Sequence, residues 1–172
     1  VGIIQYLADR DPDVDAIARL QYNEDFYFQS NKALVLDESN WCSFNSQNTL
    51  ITKSLFSALY LPSFVSFRMT DIWRSFVMQA LSKKKNLKLI FASPTVYQDR
   101  NEHDLMLDFT DEIVGYLHNH EVINDIQAYM DSNVDLDDTS FIYGLYDVFY
   151  NKGLFTEQEM NIIKMWMVKL NG

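Results

Sequence analysis

Residues 67–82 read FRMTDIWRSFVMQALS, and this stretch predicts the central helix of the fold. Ile72 and Phe76 begin an apolar row at helical spacing, so one face is available for burial. Thr70 stands where an N-cap is expected, and three lysines at 83–85 follow the last apolar turn. Because both ends match the helix dipole, we predict a core helix that starts at Thr70.

The opposite face of this helix carries Asp71, Arg74 and Ser75. A carboxylate in a first turn interacts favourably with the helix dipole, and a guanidinium three residues later is a common ion-pair partner. The same position suits a catalytic or ligand-binding carboxylate. The residues alone leave both interpretations of Asp71 open.

Composition and charge exclude several classes of protein. A chain of 172 residues with 48% hydrophobic and 15% aromatic content can bury the core of a single domain. A net charge of −10 argues against a nucleic-acid partner, because phosphate binding needs clustered cations. Cys42 is the only cysteine, so no internal disulfide is possible. No apolar run approaches the length of about 20 residues that a membrane span needs.

The N-terminal segment combines an apolar element with an acidic turn. Gly2–Ala8 predicts a short helix or strand, and residues 16–20 alternate in a way that predicts a strand. Between them, Asp13 and Asp15 could supply oxygen ligands for Mg²⁺ or Mn²⁺, or acceptors for a sugar hydroxyl. A solvated turn is the alternative, because Asp favours turns. The chain starts at Val1 with an element under way, so we expect it to be part of a longer protein.

Further elements follow from periodicity and turn residues. Helices are expected at 53–61, from Leu105 to about His118, and through the last third. Short strands are expected at four places: 26–28, 33–36, 64–67 and 87–92. His118 and His120 then lie at a helix C-terminus, where a cation suits the dipole.

Two loops carry residues that suit ligand binding. Asn45, Gln47 and Asn48 offer neutral donors and acceptors for a hydroxyl-rich ligand, although such residues also form ordinary loops. His103 lies in a polar loop and could bind a metal or transfer a proton. A solvated loop histidine is the alternative, since no second histidine stands at ligand spacing.

The last third of the chain predicts helix caps and buried helix faces, and no functional residue is assigned there. Gly153 is placed as a C-cap, and Thr156 with Glu159 forms a capping-box pattern. Phe155 and Met160 stand at the spacing of a hydrophobic staple. Apolar rows at helical spacing predict two buried helix faces: Phe141, Leu145, Val148 and Phe149, then Ile163, Met167 and Leu170.

Five segments together carry a family resemblance: DPDVD at 11–15, NSQNTL at 45–50, DIWR at 71–74, PTV at 94–96 and GLFTE at 153–157. In order and spacing they resemble the domain of plant STELLO proteins over nearly all of the chain. STELLO proteins are Golgi proteins regarded as glycosyltransferases with a GT-A-like fold, and relatives occur in animals and bacteria. The resemblance implies an α/β fold, with a GT-A-like mixed sheet followed by a helix-rich C-terminal third.

The resemblance also implies a nucleotide-sugar-dependent transferase acting on a hydroxyl acceptor. Asp71 would act as base or hold the acceptor hydroxyl, with Mg²⁺ or Mn²⁺ neutralising the leaving diphosphate. His103 lies where some GT-A enzymes carry a metal-binding histidine. Substrate-binding roles would fall to Asp13, Asp15, Asn45, Gln47, Asn48 and Arg74.

One departure from the family pattern concerns the donor side. In the family, the acidic motif expected to hold the metal and diphosphate lies upstream of the segment matching Val1. Unless Asp13 and Asp15 replace it, residues 1–172 are expected to form the C-terminal, acceptor-side part of a larger GT-A-like domain. The compartment would be the Golgi lumen for a eukaryotic STELLO-like protein and the cytoplasm for a bacterial one.

Two other functions compete with glycosyl transfer. A non-catalytic interaction module would keep the fold, consistent with the missing upstream motif and the aromatic C-terminal third. A glycosidase has less support, because the sequence does not place two carboxylates at the separation that this reaction needs.

Overall fold

A mixed four-stranded sheet forms the N-terminal half of the fold. The computed structural model describes residues 1–22 and 24–171. Within them the strands are β1 (Ile3–Arg10), β2 (Ala33–Val35), β3 (Thr49–Ile51) and β4 (Leu89–Gln98), in the order β2-β4-β1-β3. The central strands β1 and β4 are parallel, and each edge strand is antiparallel to its neighbour.

Helices share one apolar core with this sheet and dominate the chain after β4. They are α1 (Ala16–Gln21), α2 (Thr70–Lys84), α3 (Leu105–Ser132), α4 (Asp138–Asn151) and α5 (Glu157–Asn171), with 3-10 helices at Lys53–Leu59 and Phe67–Met69. The predicted α/β class with a helix-rich C-terminal third is therefore confirmed. No helix in the described part of the chain combines the length and the apolarity needed to cross a membrane.

Helix α2 is central, as predicted, but it is buried on all sides. Every residue from Trp73 to Ser82 is buried, including Arg74 and Ser75. One apolar cluster joins α2 to Ile3 of β1 and to the C-terminal helices. The side of the helix that carries Arg74 and Ser75 is therefore buried as well, because neighbouring elements cover it.

Thr70 does not cap α2. The chain enters the helix from the 3-10 turn Phe67–Met69, and Met69 occupies the N-cap position. The Thr70 hydroxyl donates a hydrogen bond back to the Phe67 carbonyl (3.0 Å), so it does not accept one from a helix N–H. The preceding 3-10 turn thus displaces the predicted cap.

Residues 16–20 form helix α1 and not the predicted strand. Asp15 caps this helix, because its Oδ1 accepts a hydrogen bond from the Ala18 N–H (3.0 Å). An alternating pattern over so few residues also fits one side of a short helix, and the Asp cap decides the outcome.

Other boundaries also differ from the predictions. Strand β4 does not end at Ser93 but continues to Gln98. The pairing of β4 with β1 shifts register between Tyr6 and Ala8, and this irregular segment accommodates Pro94, which has no N–H to donate. Helix α3 extends to Ser132, so His118 and His120 lie in its middle and not at its end. Two further predictions were wrong: 26–28 forms only a bridge at Phe26, and 64–67 is not a strand. The helix expected at 53–61 is present as a 3-10 helix at Lys53–Leu59.

The caps of the last two helices are largely as predicted. Gly153 has φ +70°, and its N–H donates to the Tyr150 carbonyl (2.8 Å), as in a glycine C-cap. Thr156 Oγ1 accepts from the Glu159 N–H (3.2 Å), which confirms one half of the capping box. The other half is wrong, because the Glu159 carboxylate points to Tyr60, Ser63 and Phe64 instead.

Candidate functional site

A cleft of about 470 Å³ lies beside the C-terminal half of β1 and the first turn of α2. Ligands commonly bind at the carboxyl ends of parallel strands, where connecting loops supply polar groups. Most polar and aromatic groups around this cleft come from loops, from the 3-10 turn before α2 and the first turn of α2, and from the body of α3: Asp13, Asp15, Asn45, Ser46, Gln47, Phe67, Arg68, Asp71, Glu112 and Tyr116. Four predicted substrate-binding or catalytic residues are therefore brought together with Asp71: Asp13, Asp15, Asn45 and Gln47.

One carboxylate oxygen of Asp71 accepts a hydrogen bond, and the other is free. Its Oδ2 accepts a hydrogen bond from the Ser46 N–H (2.8 Å), whereas Oδ1 accepts none from any described residue. The carboxylate lies in the first turn of α2, whose dipole favours negative charge. The arrangement provides an oriented carboxylate with one free oxygen at a cleft.

Arg74 lies behind this carboxylate and does not line the cleft. Only 4% of the residue is exposed, and its Nη2 donates to the Ser46 hydroxyl (3.0 Å). No ion pair joins it to Asp71, so that prediction is wrong; Ser46 links the two residues instead. The Arg74 Nε has no partner in the described structure. Burial lowers the pKa of Arg74, and the negative charge of Asp71 opposes this effect.

The polar loop at 45–48 is held largely by hydrogen bonds to other segments of the chain. Asn45 Nδ2 donates to the Asp13 carbonyl (3.2 Å), and Gln47 Nε2 donates to Gln98 Oε1. Asn48 does not line the cleft; its Nδ2 donates to the Leu7 carbonyl (3.2 Å) and to Thr95 Oγ1 (2.9 Å). Asn48 thus fits the ordinary-loop interpretation, while Asn45 and Gln47 lie at the cleft.

Asp13 and Asp15, in the turn after β1, are engaged by the protein itself. Asp15 caps α1, and Asp13 Oδ1 lies 3.3 Å from Arg68 Nη1 and 3.4 Å from Arg100 Nη2. A carboxylate held by two guanidiniums is a poor ligand for a divalent cation, because its charge is already neutralised.

Sequence reasoning missed a hydrogen-bond network that is centred on the buried Glu112 and shares Arg68 with Asp13. Glu112 is 7% exposed and accepts hydrogen bonds from the Ala16 N–H (2.8 Å), Arg68 Nε (2.7 Å) and the Tyr116 hydroxyl. This carboxylate ties α1 and the turn before α2 to α3. The spacing of Glu112 and Tyr116, four residues apart on one helix, was the only local signal.

The network shifts the pKa of two of its members. Burial raises the pKa of Tyr116, and the hydrogen bond to Glu112 raises it further. Burial alone would lower the pKa of Arg68, but the hydrogen bond and charge of Glu112 raise it above its usual value. Arg68 therefore stays charged and Tyr116 stays neutral over the physiological range.

His103 lies outside the cleft. Its Nδ1 is 3.2 Å from Asp108 Oδ2, at the start of α3. Among residues 1–22 and 24–171, no three His, Cys, Asp or Glu side chains are grouped so as to hold a metal ion. The described contacts therefore do not supply a ligand set around His103, and the Mg²⁺ or Mn²⁺ cofactor stays a prediction.

Comparison with protein families identifies the chain's relatives. A family described as STELLO glycosyltransferases matches residues 68–172, which is more than half of the chain. The chain belongs to the STELLO glycosyltransferase family. The matched segment contains Asp71, Arg74 and Glu112, whereas Asp13 and Asn45 lie before it. No curated protein gave a significant match. Membership implies a glycosyltransferase-like function that involves a sugar donor and an acceptor.

Proposed function

We propose that this STELLO domain transfers a sugar from a nucleotide-sugar donor to an acceptor hydroxyl, with Asp71 as the acceptor-side carboxylate. The observation that carries the proposal is the free Oδ1 of Asp71 at the cleft, with Oδ2 fixed by Ser46. A base must be oriented before the reaction and must keep a lone pair free for the proton. Asp71 meets both conditions.

In this reaction the acceptor oxygen forms a bond to the anomeric carbon of the donor. The bond from that carbon to the nucleoside diphosphate breaks, and the diphosphate leaves with the bonding electron pair. The acceptor proton passes to Asp71 Oδ1. Arg74 holds the Ser46 hydroxyl, and the Ser46 N–H holds Asp71 Oδ2, so Arg74 acts as a positioning residue and does not touch the substrate.

We further propose that this cleft is the acceptor side of a larger GT-A-like domain. Asp13 is paired with Arg68 and Arg100, and Glu112 with Arg68, so neither carboxylate is available to a metal-bound diphosphate. The donor diphosphate and any Mg²⁺ or Mn²⁺ would then be bound by groups other than these two carboxylates.

The test is Asp71→Asn in the full-length protein, assayed for transfer from UDP- and GDP-sugars to a panel of sugar acceptors with Mn²⁺ present. The amide still accepts from the Ser46 N–H but is not a base, so we expect transfer to fall by about 100-fold or more. Glu157→Gln is the matched control: Glu157 is exposed and also lies in a first turn, that of α5. It should leave transfer unchanged.

Two outcomes would contradict the proposal. Equal transfer by Asp71→Asn and the unaltered protein would remove Asp71 from the chemistry. Absence of both transfer and donor binding in the unaltered protein would favour the alternative function, a non-catalytic glycosyltransferase-like interaction module.

A further inference from the structure

Phe67 stands out at the rim of the same cleft. It is 84% exposed, the highest value among the large hydrophobic residues that the structure describes, and it lines the cleft together with Asp71. We infer that Phe67 is a stacking platform for the C–H face of an uncharged pyranose in the acceptor. This inference rests on the proposed function, since it names the class of acceptor at the same site.

The position of Phe67 is fixed by its neighbours. It begins a 3-10 turn in which the Met69 N–H donates to the Ser66 carbonyl (2.9 Å) and Thr70 Oγ1 donates to the Phe67 carbonyl (3.0 Å). Arg68 is held by Glu112, and Met69 is 2% exposed. The exposed ring is therefore carried by an anchored backbone, and a ligand would lose little free energy in ordering it.

Stacking and hydrogen bonding require two kinds of surface side by side. A pyranose presents apolar C–H groups on its faces and hydroxyls around its edge. An aromatic ring offers a large, rigid apolar surface for the face, and a carboxylate oxygen accepts hydrogen bonds from the edge. Phe67 and the free Oδ1 of Asp71 provide these two surfaces in one cleft.

The charges around the cleft favour an uncharged sugar. Asp15 and Asp71 line it and form no ion pair with any described residue, whereas the Arg68 and Arg100 guanidiniums are already paired with Asp13 and Glu112. The Arg68 and Arg100 side chains are only 13% and 7% exposed, and Arg74 lies behind Ser46. A ligand carboxylate or phosphate would meet these two unpaired carboxylates, so acidic sugars are disfavoured.

The inference is tested by direct binding without any donor. Saturation-transfer NMR uses the methyl β-glucoside, β-galactoside and α-mannoside, with methyl β-glucuronide as the acidic counterpart of the glucoside. We expect at least one neutral glycoside to bind. The glucuronide should bind at least about 10-fold more weakly than the glucoside or, if the glucoside does not bind, than the tightest-binding neutral glycoside.

Variants then locate the ring that carries the stacking. Phe67→Ala should weaken the binding of the neutral glycoside by about 3- to 10-fold, and Phe67→Trp should preserve its binding. Phe64→Ala is the matched control, because Phe64 is half-exposed on the same segment but does not line the cleft. It should bind as the unaltered protein does.

Three results would overturn the inference: no binding of any neutral glycoside, equal binding by Phe67→Ala and Phe64→Ala, or glucuronide binding as tight as that of the neutral sugars. The proposed function fails separately. If glycoside binding depends on Phe67 but Asp71→Asn transfers sugar normally, the stacking role of Phe67 is retained and the proposed role of Asp71 as base is wrong.

Discussion

Two carboxylates in this protein share a sequence setting but differ in their surroundings. Asp71 and Glu159 each lie in the first turn of a helix, and each accepts a hydrogen bond from a backbone N–H of a distant loop. Glu159 has no exposure and accepts from the Tyr60 hydroxyl and from the N–H groups of Ser63 and Phe64. Asp71 accepts one such bond and keeps one oxygen free at a cleft.

The difference shows how a structural carboxylate is separated from a reactive one. Both oxygens of Glu159 are used to fasten α5 to the segment after the 3-10 helix Lys53–Leu59. A saturated, buried carboxylate contributes to stability and has no capacity for a substrate. Asp71 contributes little to packing and retains that capacity.

The largest effect is expected at the structural carboxylate. Glu159→Ala removes the acceptor of the buried Tyr60 hydroxyl and of the Ser63 and Phe64 N–H groups, and each lost acceptor costs free energy. We expect the free energy of unfolding to fall by about 3 kcal/mol. Urea denaturation followed by tryptophan fluorescence measures it. Glu157→Ala on the same turn should change it by about 0.5 kcal/mol or less, and equal losses would contradict the contrast.

A smaller effect comes from Tyr60. Burial raises the pKa of Tyr60, and its hydrogen bond to Glu159 and the charge of that carboxylate raise it further. The unfolded chain loses this proton near pH 10.0, whereas the folded protein keeps it. The contribution of Tyr60 to the free energy of unfolding should therefore be fully present below pH 10 and be lost as the pH rises beyond it.

Urea midpoints between pH 8 and 11 measure this dependence. Tyr60→Phe should cost about 1 kcal/mol at pH 8 by removing the hydrogen bond, and should make the alkaline decline shallower. The decline should not vanish, because burial also raises the pKa of Tyr116 and Tyr146. An unchanged slope in Tyr60→Phe would show that Tyr60 does not titrate differently in the two states.

The smallest effect on stability is expected at Asp71. Asp71→Asn keeps an oxygen for the Ser46 N–H and loses only the favourable charge at the helix start. We expect the free energy of unfolding to change by about 0.5 kcal/mol or less in urea denaturation. A loss as large as that of Glu159→Ala would make Asp71 a structural residue and remove the contrast.

Local features were predictable because their partners lie within one helical turn. The α2 helix, the Gly153 cap and the Thr156 cap all follow from spacing and residue type. The same reasoning failed at Thr70, where a 3-10 turn precedes the helix, and at Glu159, where a distant loop replaces the local partner.

The candidate site was predictable only in part. Asp71, Asp13, Asp15, Asn45 and Gln47 were selected by residue type, and the structure places all of them around one cleft. Arg68 and Glu112 were missed because 44 positions separate them and no short motif joins them. Asn48, Arg74 and His103 were selected by the same chemistry but do not line the cleft.

Neighbouring residues were enough to predict the α/β class, the family and the positions of most helices, because periodicity, caps and motifs depend on short stretches of the chain. Long-range packing was needed to show that Arg74 is buried without an ion pair, that both oxygens of Glu159 accept hydrogen bonds and that Asp71 keeps a free oxygen. The reason is physical: burial and hydrogen-bond saturation depend on which distant segments pack against a side chain, and a residue's own neighbours do not specify them.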